Sequence, residues 1–123
     1  MPILKGWLEA RRKESDKNGG PAMETSAPVV EVDADLADLI PQYIENRWAD
    51  LAFARQLLGK GDFQLLARMA HRIRGSAASY GFTGLGDISA RLETAAEQED
   101  ARRSDEALAQ YEGFLRAVRI EYI

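Results

Sequence analysis

Apolar residues recur through most of the chain at the i, i+3, i+4 spacing of amphipathic α-helices, and four such stretches follow the first thirty residues. The stretches are separated by glycines and by residues that cap helices, namely Gly59, Gly61 and Asp62, then Gly81 and Thr83, and finally Asp100 or Ser104. No alternation typical of a β-strand competes, so the last stretch is expected to stay helical through Val118 and Tyr122. The pattern predicts an all-α fold, because four such helices can bury their apolar faces only against one another, in an antiparallel up-and-down four-helix bundle.

Residues 1–30 carry a different pattern. Positions 3–14 have the spacing of a short extra N-terminal helix, whereas the glycine, proline and serine residues that follow are typical of a linker. We therefore predict an N-terminal extension or linker over 1–30, partly helical, and a bundle domain over 31–123. Within the domain, Asp33 or Asp35 is expected to cap a short helix that precedes the first long one.

Composition and charge narrow the classes of function. At 123 residues the chain has the length of one domain, and its 46% hydrophobic and 29% charged residues are typical of a soluble globular protein. The absence of cysteine excludes disulfides, thiolate metal sites and a cysteine nucleophile. A formal net charge of -4 argues against a nucleic-acid partner, which normally requires a basic face. No apolar run is long enough to span a bilayer and no signal-peptide core is present, so we expect no membrane association and a cytoplasmic protein.

The second predicted helix contains the only histidine in the chain, His71. The apolar stripe of that helix consists of Phe63, Leu66, Ala67, Ala70, Ile73, Ala77 and Tyr80. His71 lies off this stripe and is expected to face solvent, and Gly75 follows one turn later on the same face. Glycine inside a helix costs about 1 kcal/mol relative to alanine, and its simplest reason here is space beside the imidazole. An exposed neutral imidazole with room around it is a nucleophile.

The charges near His71 in the sequence are one-sided. No acidic residue lies between Asp62 and Asp87, whereas three arginines lie within about one turn of the histidine, at positions 68, 72 and 74. Such a cationic neighbourhood would stabilise an anion attached to the ring.

Other chemistries lack essential parts. A serine nucleophile would need a histidine base oriented by a carboxylate, and no acid is close to His71 in the sequence. A metal site needs several ligands, which one histidine without cysteine does not supply, and the Glu-x-x-His motif of carboxylate sites in bundles is absent. We therefore expect neither a metal nor a cofactor, and covalent catalysis through the imidazole remains.

The sequence from His71 to Phe82, followed by Leu85 and then Leu92-Glu93, resembles the histidine-containing phosphotransfer (HPt) family. The family pattern is a histidine, a basic residue three positions later, then glycine, serine, a second glycine at ten, and a Leu-Glu pair one helix on. The matching residues are His71, Arg74 where lysine is commoner, Gly75, Ser76, Gly81 and Leu92-Glu93. The resemblance covers roughly residues 32–122, and the combined motif is far more specific than a single histidine.

The resemblance implies that the chain is a phosphoryl carrier without ATP-dependent kinase activity of its own. Nε2 of His71 would attack an aspartyl phosphate on a receiver domain and later return the phosphoryl group to the aspartate of another receiver. Mg²⁺ and the catalytic lysine would belong to the receiver, so the implied partners are response-regulator receiver domains and a hybrid histidine kinase. A single-histidine carrier needs no second subunit, and a monomer is expected.

The resemblance also implies roles for the residues around His71. Arg74 would neutralise the phosphoryl oxygens, and Gly75 would let the rim of the receiver's active site approach the ring. Ser76 is assigned a packing or hydrogen-bonding role, and Gly81 a structural one.

Docking is expected on the same face of the helix. Arg68 and Arg72 would steer an acidic receiver pocket, and both also fit an ordinary solvated helix surface. Ala67 and Ala78 would form a flat apolar contact for the partner, while Glu93 is expected to pack between helices without a role in the chemistry.

Two other functions stay open: a bundle that binds or sequesters a receiver without accepting phosphate, and, more weakly, the phosphoacceptor domain of a chemotaxis-type kinase, although no kinase domain is present in this chain.

Overall fold

The computed structural model describes residues 27–123, and the helix predicted over 3–14 lies outside them. The elements in order are β1 (Val29–Val32), a 3-10 helix (Ala34–Leu39), α1 (Ile40–Lys60), α2 (Phe63–Ser79), α3 (Thr83–Glu97), α4 (Ala101–Ala117) and β2 (Arg119–Tyr122). Each helix packs against the next, and α1 also packs against α4. The prediction of a four-helix, mainly α fold is confirmed. None of the four helices combines the length and apolar character needed to cross a bilayer.

Three of the predicted caps form in the structure. The carboxylates of Asp33, Asp62 and Asp100 each accept a hydrogen bond from a backbone N–H at the start of the 3-10 helix, α2 and α4. The prediction that Thr83 caps α3 is wrong: Phe82 is the N-cap residue, Thr83 is already helical, and no side chain caps this helix. The reason is burial, because Phe82 is fully enclosed by the core and its carbonyl accepts the N–H of Gly86 at 3.0 Å.

Gly81 ends the helix that carries His71. Its φ of +85° is in the left-handed region, which a residue without a Cβ adopts without strain. The N–H groups of Gly81 and Phe82 donate to carbonyls of the last turn of α2, at 3.2 and 2.8 Å. A Cβ at position 81 would also lie 3.4 Å from the carbonyl oxygen of Glu31 in β1. Gly81 is therefore both a helix terminator and a point of close packing.

The core lies between the four helices and is capped at one end by an aromatic cluster. α2 contributes its buried stripe of Leu66, Met69, Ala70, Ile73 and Ala77. The rings of Tyr43 and Phe82 lie 5.2 Å apart, and Tyr80 packs on Tyr43 at 4.4 Å. Burial of one stripe fixes the rotation of α2, so its opposite face is directed to solvent.

The expectation that no strand is present, and that the last helix continues through Val118 and Tyr122, is wrong. α4 ends at Ala117, and the residues that follow form β2, which pairs in parallel with β1. The first and last strands thus meet at one end of the bundle. Val30 and Val32 point into the core, with exposed fractions of 5% and 1%. Pairing between segments so distant in sequence leaves no signal in the local pattern of apolar and polar residues. The β1 strand begins at Val29, two residues before the expected start of the bundle domain at residue 31.

Replacement of Val32 by alanine is expected to lower the free energy of unfolding by about 2 kcal/mol, because it removes two buried methyl groups and leaves a cavity under the sheet. Val29 is in the same strand but 52% exposed, so Val29→Ala is the matched control and should change stability by less than about 0.5 kcal/mol. Urea denaturation followed by circular dichroism measures both. Equal effects of the two substitutions would contradict the role assigned to β1.

Candidate functional site

His71 lies in the middle of α2, on the face opposite the buried stripe, and its side chain is 64% exposed. Gly75 is one turn further on, and a Cβ placed there would meet no atom within 4 Å. The imidazole therefore stands on an open surface, next to a position where the helix has no side chain.

α3 brings a carboxylate to the ring. Glu93, only 16% exposed, places Oε2 at 3.0 Å from Nδ1 of His71. An ionised carboxylate only accepts hydrogen bonds, so Nδ1 carries the proton and donates it. In the neutral ring this leaves Nε2 with its lone pair free. The contact selects the tautomer in which the outer nitrogen is the nucleophile.

Arg74 also contacts this pair. Its guanidinium nitrogens lie 3.2 Å from Nδ1 of His71 and 3.3 Å from Oε1 of Glu93. A guanidinium can only donate, and an Nδ1 that already carries a proton cannot accept, so the attractive contact is the one with Glu93. Arg74 is 45% exposed and meets the ring at Nδ1. To neutralise a group attached to Nε2 its side chain would turn away from Glu93, which its exposure permits.

The one-sided charge around His71 in the sequence is partly offset in the fold. Glu93 pairs with Arg74, and Asp50 of α1 lies 3.9 Å from Arg72. Of the three arginines of α2, Arg68 has no carboxylate partner among residues 27–123. The expected cationic setting is therefore weakened but not removed, because the carboxylate near Arg72 is shared with Arg47, with which Asp50 pairs at 2.9 Å.

Ser76 faces α1 and takes part in a polar network. Its hydroxyl donates to the carbonyl of Ile73 at 3.1 Å and accepts from Arg47 Nη1 at 3.0 Å, while the hydroxyl of Tyr43 lies 3.2 Å away. Arg47 also pairs with Asp50 at 2.9 Å and stacks over the Tyr43 ring. This network joins α1 to α2 behind the histidine and fixes the position of the helix.

Two ionisable groups of this network are strongly affected by their surroundings. Burial by itself would lower the pKa of Arg47, but the contact with Tyr43 and the charge of Asp50 outweigh it and raise the pKa above its ordinary value. Burial raises the pKa of Tyr111, whose hydroxyl donates to the carbonyl of Arg47 at 3.3 Å. The raised pKa of each group keeps Arg47 and Tyr111 protonated at neutral pH.

The remaining predicted residues lie around His71. Ala67 is half-buried and, with Arg68, lines a groove between α2 and α3. Ala78 and Arg72 are exposed on α2. The aromatic residues assigned to the core are buried or packed against it, namely Phe82, Trp48, Phe63 and Tyr80.

Glu93 is the residue whose part in the site was missed. It was expected to pack between helices, but its carboxylate bonds the imidazole directly. A signal was present in the Leu92-Glu93 pair of the motif. The spacing of apolar residues shows which face of a helix a residue occupies, but not which residue of another helix lies beside it. The contact between Glu93 and His71 therefore could not be predicted from the sequence pattern.

The arrangement provides a nucleophilic nitrogen, a carboxylate that orients it and an arginine at its edge. Among residues 27–123, no three histidine, cysteine, aspartate or glutamate side chains converge to hold a metal ion. What the site offers chemically is covalent capture of an electrophile at Nε2 of His71.

In a comparison with protein-family models, residues 31–121 match a model described as Hpt domain. This match covers about three quarters of the chain, and it contains the strand β1 from Glu31 onward, all four helices and most of β2. The search of curated proteins and the search of solved structures returned no match.

Proposed function

Because the chain belongs to the Hpt domain family, whose members are phosphocarrier modules of two-component signalling, we propose that it is a phosphorelay intermediate that carries the phosphoryl group on His71. It accepts the group from the aspartyl phosphate of one response-regulator receiver domain and passes it to another. A hybrid histidine kinase supplies the first receiver. The observation that supports this most is the hydrogen bond between Glu93 and Nδ1, which leaves Nε2 unprotonated on a side chain that is 64% exposed.

The proposed step is a displacement at phosphorus. The Nε2 lone pair forms the N–P bond while the bond from phosphorus to the aspartyl oxygen breaks, and the carboxylate leaves with that electron pair. The ring becomes positively charged in this step, and the carboxylate of Glu93 next to Nδ1–H stabilises that charge. No proton has to be removed from Nε2, and the reverse step needs none. This symmetry suits a carrier that both accepts and donates the group.

The remaining requirements fall on the partner. We propose that Mg²⁺ is held by the receiver and that this chain acts without a cofactor or a nucleotide. Arg74 would swing from Glu93 to the phosphoryl oxygens, and Arg68, Arg72, Ala67 and Ala78 would contact the receiver. Because the turns between consecutive helices are short, we take the bundle to be antiparallel and up-and-down. We also take the chain to act as a monomer, since a carrier with a single histidine needs no second subunit.

The test is incubation with a receiver domain that carries labelled phosphate on its aspartate. We expect label to appear on this protein in a linkage that is acid-labile and alkali-stable, as a phosphoramidate is, and to move on to a second receiver. Binding of phosphorylated receivers without uptake of label, across a broad set of receivers, would contradict the relay and support a docking module that sequesters them.

Replacement of Gly75 by leucine is expected to slow transfer from a receiver by about tenfold or more, because the new side chain stands where the receiver approaches His71. The fold should be kept or slightly stabilised, since leucine favours a helix over glycine by roughly 0.8 kcal/mol. Gly113 of α4 is also helical, and a Cβ placed there would likewise meet no atom within 4 Å, so Gly113→Leu is the matched control. Equal transfer rates in the two variants would contradict the proposal that Gly75 leaves room for the receiver beside His71.

A further inference from the structure

A groove of about 350 Å³ lies beside His71, between α2 and α3. It is lined by Ala67, Arg68 and His71 from α2 and by Glu93 and Glu97 from α3. Because the groove shares two residues with the phosphoacceptor site, a partner that reaches the ring also covers the groove.

Two side chains of the groove carry charges that residues 27–123 leave uncompensated. Arg68 and Glu97 are exposed, and neither forms an ion pair with the other or with another described residue. By contrast, the other two arginines of α2 each have a carboxylate neighbour. The groove thus presents one free positive charge on its α2 wall and one free negative charge on its α3 wall.

Opposed free charges discriminate between partners. A charge that is covered by a partner loses hydration, and the loss is offset only where the partner supplies the opposite charge. A partner with the reverse arrangement meets two like-charge contacts and is disfavoured. Ala67, with a single methyl group, leaves the groove open so that groups of the partner can enter it.

We propose that Arg68 and Glu97 select the receiver domain that docks on His71. The favoured receiver places a carboxylate against Arg68 and a lysine or arginine against Glu97. This rests on the proposed function, since it specifies which receiver the phosphoacceptor face accepts. Glu97 does not touch the reacting atoms and acts on docking alone.

The test compares two phosphoryl donors. One is the receiver that labels the wild-type protein fastest within a panel of aspartate-phosphorylated receiver domains, and the other is the small molecule phosphoramidate, which has no docking surface. Arg68→Glu and Glu97→Lys are each expected to lower the ratio of receiver-driven to phosphoramidate-driven labelling by about tenfold, the effect of one mismatched charge pair. Glu45→Lys makes the same charge change as Glu97→Lys on the exposed surface of α1, outside the groove, and should leave the ratio within about twofold.

A double variant tests whether Arg68 and Glu97 act by contacting the receiver or by contacting each other. Arg68→Glu combined with Glu97→Lys is expected to stay slow with the original receiver and to shift the preference of the protein within the panel. Ratios within twofold of wild type for both single variants, or full recovery with the original receiver in the double variant, would overturn the proposal. If the wild type takes label from phosphoramidate but from no receiver, both the relay function and receiver selection are contradicted. This outcome differs from one in which receivers label the protein but the substitutions at Arg68 and Glu97 have no effect, which contradicts receiver selection alone.

Discussion

Replacement of His71 by glutamine is expected to reduce phosphoryl transfer to background, the largest effect of any single substitution in this protein. Glutamine has a similar size and polarity but no nitrogen lone pair able to attack phosphorus, so the covalent step is lost. The side chain at this position is 64% exposed, and the free energy of unfolding should therefore change by less than about 0.5 kcal/mol. Transfer of label from a phosphorylated receiver, together with a urea denaturation curve, measures both quantities.

Gln64 provides a matched control for this result, because it is exposed on the same helix and forms no hydrogen bond or ion pair with another described side chain. Gln64→Ala should keep both the transfer and the stability of the wild type. Label that persists on His71→Gln would place the phosphoacceptor at another residue. Binding of the phosphorylated receiver by His71→Gln is expected to persist, and its loss would mean that the substitution disturbs the surface as well as the chemistry.

Replacement of Glu93 by alanine is expected to slow acceptance of the phosphoryl group by roughly tenfold to a hundredfold, the second largest effect. The carboxylate holds the proton on Nδ1 and stabilises the charge that develops on the ring, and alanine does neither. Glu93→Gln keeps an amide oxygen that can accept from Nδ1–H and lacks the charge, so its rate should fall between those of alanine and wild type. Single-turnover labelling measures the rates.

Nitrogen NMR of the imidazole distinguishes orientation of the ring from general damage to the helix packing. In the wild type the neutral ring should carry its proton on Nδ1, and in Glu93→Ala the two tautomers should mix. Asp87→Ala, a loss of an exposed carboxylate on the same helix, should alter neither the spectrum nor the rate. A ring that keeps the wild-type tautomer in Glu93→Ala would show that the hydrogen bond does not set it.

The positioning of Glu93 depends on packing that no single helix contains. α2 is fixed in rotation by its buried stripe and by the network of Ser76 with Arg47 of α1, and α3 is fixed by its own buried face. The meeting of His71 and Glu93, 22 residues apart in the chain, is the result of both. The packing of α1 on α2 also brings Asp50 within 3.9 Å of Arg72 and so offsets part of the local positive charge.

The number and type of helices, most of their ends, and the exposed position of His71 were determined by the sequence alone. Those features follow from short-range rules: apolar spacing of three and four residues decides which face is buried, and the aspartates at 33, 62 and 100 cap helices within three positions of themselves. The motif around His71 could be recognised for the same reason, since all but its Leu-Glu pair lies within one helix and the turn that ends it.

Only the tertiary structure decided which side chains of different elements meet. The parallel pair of β1 and β2 joins segments from opposite ends of the described chain, so Arg119–Tyr122 is drawn out of the helical pattern by hydrogen bonds and by the burial of Val30 and Val32. Burial of Phe82 moved the start of α3 by one residue, and the approach of α3 to α2 gave the imidazole its carboxylate. Each of these outcomes depends on distances between elements, which a one-dimensional pattern of apolar and polar residues does not contain.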